Sequence, residues 1–141
     1  MQVNRSGRFV VFLLGSALLV GTAAGQERPA SQAPPTENKG MKAPVLTSLD
    51  LGPEIDGMQG RQLRMRLMTV EPGGVIAIHP HKDRPAVVYL LHGNWTEIRE
   101  GGEVREHKEG ESWAEGKATT HWAENRGTVP AVAVVVDVFK Q

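Results

Sequence analysis

Gly73-Gly74-Val75-Ile76-Ala77-Ile78-His79-Pro80-His81 is the stretch on which the reading of this 141-residue chain turns. A Pro-Gly-Gly turn feeds a short run of β-branched residues, and the run ends in two histidines separated by one residue. Side chains two apart in an extended chain point to the same side, so both imidazoles can approach one point. Imidazole nitrogen binds zinc, copper, iron or nickel, at about 2.1 Å in the zinc case. An isolated His-x-His is equally compatible with two surface histidines at a loop entrance, so the surrounding sequence decides.

On either side the period is that of strands. Arg61 to Met68 alternates, placing Leu63, Met65 and Leu67 on one face and Arg64 and Arg66 on the other. Val87 to Leu91 is a short aliphatic run, Trp95 to Arg99 alternates again, and Val132 to Phe139 is a valine-rich final strand. Turn signals separate these runs at Glu71-Pro72-Gly73-Gly74, His92-Gly93-Asn94, Glu100-Gly101-Gly102-Glu103, Glu109-Gly110-Glu111 and Asn125-Arg126-Gly127. Many short strands at this spacing, with no helical apolar stripe and no repeat of constant period, predict an all-β sandwich or barrel.

Gly73, His79, His81 and then Gly93 stand at the spacing of the first motif of the cupin superfamily, with Ala86 in the place of that motif's glutamate. Gly110, Gly116, Ala118, His121 and Asn125 stand at the gaps of the second, with Gly116 where the family has proline and Ala118 where it has glycine. Over Gly73 to Asn125 the chain therefore resembles a small single-domain cupin of the type-2 kind. The resemblance implies a double-stranded β-helix, or jelly roll, with a metal inside the barrel on His79, His81 and His121. Three protein ligands with open positions characterise a site that accepts water or substrate, whereas closed structural zinc sites use four.

The departure at Ala86 removes a ligating carboxylate. Three neutral histidines leave a divalent ion its full charge, which alters metal preference, redox potential and the acidity of bound water. Some cupin dioxygenases use three histidines alone; the alternative is a pocket that has lost its metal. Asp83, in the loop after His81, is a substitute carboxylate or, the favoured reading, a solvated turn residue. Asp137 interrupts the valine-rich strand, where a charge is costly unless paired, and pairing with Arg64 or Arg66 is expected. His92 lies six residues beyond Ala86 on one strand, about 20 Å from the metal end, and His107 falls in a charged hairpin expected to be solvated. Trp95, Trp113 and Trp122 read as core or rim packing. Val75 and Ala77 are expected to share the face of His79, and Val88 and Leu90 that of Ala86, which predicts a mainly apolar pocket suited to a small organic ligand.

The ends of the chain carry other information. Arg5 and Arg8, an uncharged run from Phe9 to Val20 and small residues up to Gly25 read as a signal peptide (1–25). The run is shorter than the roughly 20 residues that span a bilayer, so no integral span is expected after cleavage, and the protein is expected to be exported, periplasmic or secreted. Residues 26–44, rich in Pro, Ala, Gln, Glu and Lys, read as a disordered spacer, which leaves 45–141 as the barrel domain. Without Arg5 and Arg8 the 16 basic residues fall to 14 against 16 acidic ones, a net of −2 that suggests no nucleic-acid partner. There is no cysteine, so stability comes from packing and a metal. These readings converge on a divalent metal (Fe, Zn, Mn, Cu or Ni) and either dioxygenase-like chemistry on a small organic substrate or non-catalytic binding of a small ligand or metal. No catalytic side chain is identified, and the resemblance implies a homodimer.

Overall fold

The computed structural model describes residues 33–140; the expected signal peptide and the first part of the expected spacer lie outside the described residues. Nine strands follow one another: β1 (Lys39–Lys42), β2 (Val45–Asp50), β3 (Arg61–Pro80), β4 (Ala86–His92), β5 (Asn94–Arg99), β6 (Val104–Lys108), β7 (Ser112–Glu115), β8 (Thr120–Glu124) and β9 (Ala131–Lys140). Every pairing is antiparallel. The ladder runs β6-β5-β8-β3-β9-β4-β7, with β1 and β2 added on β3. This is the all-β jelly roll that the sequence predicts.

One strand builds the barrel by belonging to both of its walls. The first half of β3 pairs with β9, from Arg61 opposite Lys140 to Val70 opposite Ala131. Its second half pairs with β8, from Val75 opposite Glu124 to Pro80 opposite Thr120. Between the halves the chain bends through Glu71–Gly74, where the sequence signalled a turn. A Cβ at Gly74 would lie 2.7 Å from the Glu71 carbonyl oxygen and 2.8 Å from Val70 Cγ1, so only glycine allows this bend. The two walls then meet through their inner faces: Trp95 of β5 contacts Trp113 of β7 edge-on at 5.9 Å.

The core lies between the walls and includes Met68, Val70, Ile76, Val88, Leu90, Trp95, Ala131, Ala133 and Val135. Along β4 the alternation is clean, with Ala86, Val88 and Leu90 buried and Val87, Tyr89 and Leu91 exposed. In β3 the alternation is as expected but its polar set faces inward. Arg66 is buried, while Leu63 and Met65 are exposed at 40% and 37%. The reason lies on β9, where Asp137 stands directly opposite Arg64 and supplies the counter-charge that makes an inward arginine row tolerable.

The spacer expectation is corrected over its later part. β1 pairs with β3, Asn38 Oδ1 accepts from the Ala77 amide at 2.8 Å, and the Pro35 carbonyl accepts from the Ile78 amide at 2.8 Å. Met41 and Ala43 pack on the core. Composition underestimates this arm because backbone groups, not a run of apolar side chains, fasten it to an edge of β3.

Candidate metal centre

β3 and β8 bring the three histidines together, and an irregularity in their ladder makes it possible. Ile76 faces Ala123 while His79 faces His121, so three steps along β3 match two along β8. The extra residue is a β-bulge, and it changes parity. In a regular strand Ile76 and His79 would point to opposite faces. Here Ile76 enters the core, and His79 and His81 line the internal cavity. The expectation that Val75 and Ala77 share the inner face with His79 is corrected: Ile76 is the buried residue, and its two neighbours are only half-buried.

Each imidazole is held by its Nδ1. His79 Nδ1 donates to the Ala77 carbonyl at 2.8 Å, His81 Nδ1 to the Arg84 carbonyl at 3.0 Å, and His121 Nδ1 to Glu97 Oε1 at 2.9 Å. Carbonyl and carboxylate oxygens only accept, so Nδ1 is the donor, and in the neutral form of each ring Nε2 presents a lone pair. The Nε2 atoms converge, with separations of 3.2 Å for His79 and His81, 3.0 Å for His81 and His121, and 3.2 Å for His79 and His121.

Three lone pairs this close, with no hydrogen between them, repel one another; a cation at their centre reverses the sign. Nitrogens bound at about 2.1 Å and at right angles to each other lie about 3.0 Å apart, so the trio fits a metal ion. A proton is a poor substitute. Burial holds the pKa of His79 and His81 down to about 4, although each Nδ1–H to a backbone carbonyl favours the charged ring.

The sequence reading missed two carboxylates that the fold places around this trio. Glu97 of β5 is fully buried, at 0% exposure. Its Oε1 accepts from His121 and from Arg99 Nε at 2.9 Å, and its Oε2 accepts from His107 Nε2 at 3.0 Å. Burial would raise its pKa, but the hydrogen bonds from His121 and His107 outweigh that and hold it at about 2. A carboxylate behind a metal-binding imidazole fixes its tautomer and raises its basicity. Trp95 and Glu97 share strand parity, which is the one sequence signal for an inward glutamate. His107 is thereby corrected from solvated to buried; it stacks on Trp113 at 3.7 Å between ring centres.

The second carboxylate is Glu115 of β7, 5% exposed. Its Oε2 is 3.1 Å from His81 Nε2 and its Oε1 is 3.7 Å from His121 Nε2. Trp113 Nε1 donates to Oε1 at 2.9 Å.

The remaining residues fall outside the trio. Asp83 is exposed in the loop before β4 with φ 61°, as a turn residue. His92 is exposed and paired with Glu109. Asp137 is paired as expected, though with three arginines: Arg64 Nε and Nη2, Arg66 Nη2 and Arg84 Nε all donate to it at 2.9 to 3.0 Å.

A cavity of about 240 Å³ opens beside the trio, with Met68, Ile76, Val88, Trp95 and Val135 as apolar wall. Arg66, Arg84 and Glu115 also line it, so it is more polar than the strand period alone predicts.

The sequence profile of a family described as "Cupin domain" matches residues 66–137. No curated protein sequence matches the chain. Among solved structures, it is similar to the polyketide cyclase RemF from Streptomyces resistomycificus, at 18% identity and a TM-score of 0.58 over 74% of this chain and 68% of that one. It is also similar to an uncharacterised protein with a double-stranded β-helix domain from Klebsiella pneumoniae (17% identity, TM-score 0.57, 82% of this chain and 90% of that one). A third similarity is to KdgF from Halomonas sp. (17% identity, TM-score 0.54, 70% of this chain and 78% of that one). At such identities the likeness is one of fold.

Proposed function

The chain belongs to the cupin domain family, and from that premise we propose that it is an exported cupin that holds one divalent metal on His79, His81 and His121 and engages a small organic molecule beside it. The observation that carries this reading is the convergence of three Nε2 lone pairs within 3.2 Å of one another. Iron, zinc, manganese, copper and nickel all accept imidazole nitrogen. Such an ion supplies Lewis-acid polarisation or dioxygen activation, the dioxygenase-like chemistry. The chain's own residues do the rest: backbone carbonyls and Glu97 orient the rings, and the apolar wall excludes water.

Elemental analysis of the metal-loaded protein beside a triple His79→Ala, His81→Ala, His121→Ala variant tests the reading. One ion per chain, absent from the variant, is expected; equal metal in both would overturn it. Oxygen consumption with phenolic or diketone substrates then separates enzyme from holder. The second reading, a non-catalytic binding module, is favoured by the engagement of Arg66 and Arg84 with Asp137, which leaves few cavity groups for acid–base work. It expects a ligand that raises the melting temperature and is recovered unchanged.

Export rests on residues 1–25. Among the described residues no helix is long and apolar enough to cross a membrane.

A homodimer is supported by the outer face of the β3-β9-β4 wall, where Met65, Val136 and Val87 form one cross-strand row and Leu67, Val134 and Tyr89 the next. Val87 and Tyr89 are 55% and 47% exposed, more apolar surface than scattered single residues give. Analytical ultracentrifugation is expected to show a dimer for the native chain and a monomer for Val87→Arg. A native monomer would remove this assignment.

A further inference from the structure

Resting on the three-histidine reading, we propose that Glu115 is a fourth ligand of the same ion, a carboxylate supplied across the β-ladder from the position where the chain has Ala86. Ala86 sits in a cross-strand row between Glu115 of β7 and Asp137 of β9, and all three are buried. The methyl group of Ala86 leaves the space in front of the histidines to side chains from the flanking strands, about 4.8 Å to either side.

Only one of the two flanking carboxylates is free to contribute. Asp137 accepts from Arg64, Arg66 and Arg84. Glu115 has Oε1 anchored by the Trp113 indole N–H, which leaves Oε2 turned to the histidines. The 3.1 Å between Oε2 and His81 Nε2 falls within the 3.0 to 3.2 Å range of the Nε2 separations. Because His81 Nδ1 holds the hydrogen, that contact is again two acceptors with nothing between them. The contradiction that the three rings pose is posed again between Glu115 and His81, and a cation held by the three nitrogens would draw the carboxylate in as well. The ligand set becomes three nitrogens and one oxygen, and the carboxylate cancels one unit of the ion's charge.

The consequence is readable without any activity. Zn²⁺ and Co²⁺ affinities of the full chain are measured by competition with a chromophoric chelator, together with the visible spectrum of the Co²⁺ form. Native chain, Glu115→Gln, Glu115→Ala, His121→Ala and the double variant Ala86→Glu/Glu115→Ala are compared. Loss of a partner that only orients a ligand weakens binding about 10- to 100-fold. Glu115→Ala is expected at or beyond the upper end of that range, with a changed Co²⁺ spectrum.

The near-isosteric Glu115→Gln, which keeps an oxygen for Trp113, is expected to weaken binding less than alanine does. Ala86→Glu in the Glu115→Ala background is expected to recover affinity by returning a carboxylate from the neighbouring strand. Native affinity and an unchanged Co²⁺ spectrum in folded Glu115→Ala would overturn the proposal while leaving the three-histidine site standing, provided His121→Ala fails to bind. A native chain that takes up neither ion overturns both.

Discussion

Removing the Asp137 carboxylate is expected to destabilise the protein by about 3–5 kcal/mol, the range for breaking a buried ion pair from one side. Its side chain is 0% exposed and faces three guanidiniums, of which those of Arg64 and Arg66 are 14% and 11% exposed. With Asp137→Ala those charges are left together beside the core; Arg64 keeps only its stacking on Phe139, 3.9 Å from the ring centre. Burial acts to raise the Asp137 pKa, but the hydrogen bonds from Arg64 and Arg84 and the charge of Arg66 prevail, and the net direction is down. A carboxyl whose folded pKa lies below its unfolded value of about 3.9 contributes stability that is present above that value and lost as pH falls through the folded pKa. Urea unfolding followed from pH 7 into the acid range should therefore show this contribution shrinking below about pH 4 in the native chain, and the corresponding part absent in Asp137→Asn. A loss under about 1 kcal/mol in Asp137→Ala at neutral pH would contradict this account.

His121→Ala is expected to abolish stoichiometric metal uptake, the largest single effect on the site. His121 is the one histidine of the trio delivered from the opposing strand β8, buried at 1% exposure; without it, only His79, His81 and the proposed Glu115 carboxylate remain to hold the ion. Glu97→Gln separates ligation from orientation, because it keeps the ring in place while replacing the negative charge behind it. It is expected to weaken Zn²⁺ about 10- to 100-fold, as loss of a carboxylate behind a ligating histidine does. Isothermal titration of both variants beside the native chain measures this. Unaltered affinity in Glu97→Gln would show that the negative charge behind His121 contributes nothing to the site.

Much of this was legible in the residues themselves. His79-Pro80-His81 at a strand end, the turn glycines and the two-residue period point to an all-β barrel and two converging nitrogens, because period and turn chemistry are local properties of the backbone. The resemblance to the cupin motifs adds His121 as the third. Asp137 announced its need for a partner, since an unpaired charge in an apolar strand is costly. Asp83 is the carboxylate nearest to His81 along the chain, but proximity in sequence says nothing of a partner brought in across the sheet. Glu115 lies 29 positions beyond Ala86 in the sequence and directly beside it in the sheet.

Alternation by itself specifies two faces without saying which is inside. In β3 the arginines took the inner face because the ladder set Asp137 opposite Arg64, and no local pattern contains that register. The bulge between Ile76 and His79 is of the same kind: one extra residue, set by the pairing with β8, reverses the parity that the two-residue period predicts. His107 looked solvated among charged neighbours and became buried because closure of the barrel laid Trp113 over it and brought Glu97 to its ring. The sequence by itself determined the turns, the runs that form β3, β4, β5 and β9 and, through the resemblance to the cupin motifs, the identity of the three histidines. The tertiary structure alone decided which faces look inward and which carboxylates stand beside the rings, because those depend on register between strands far apart in the chain.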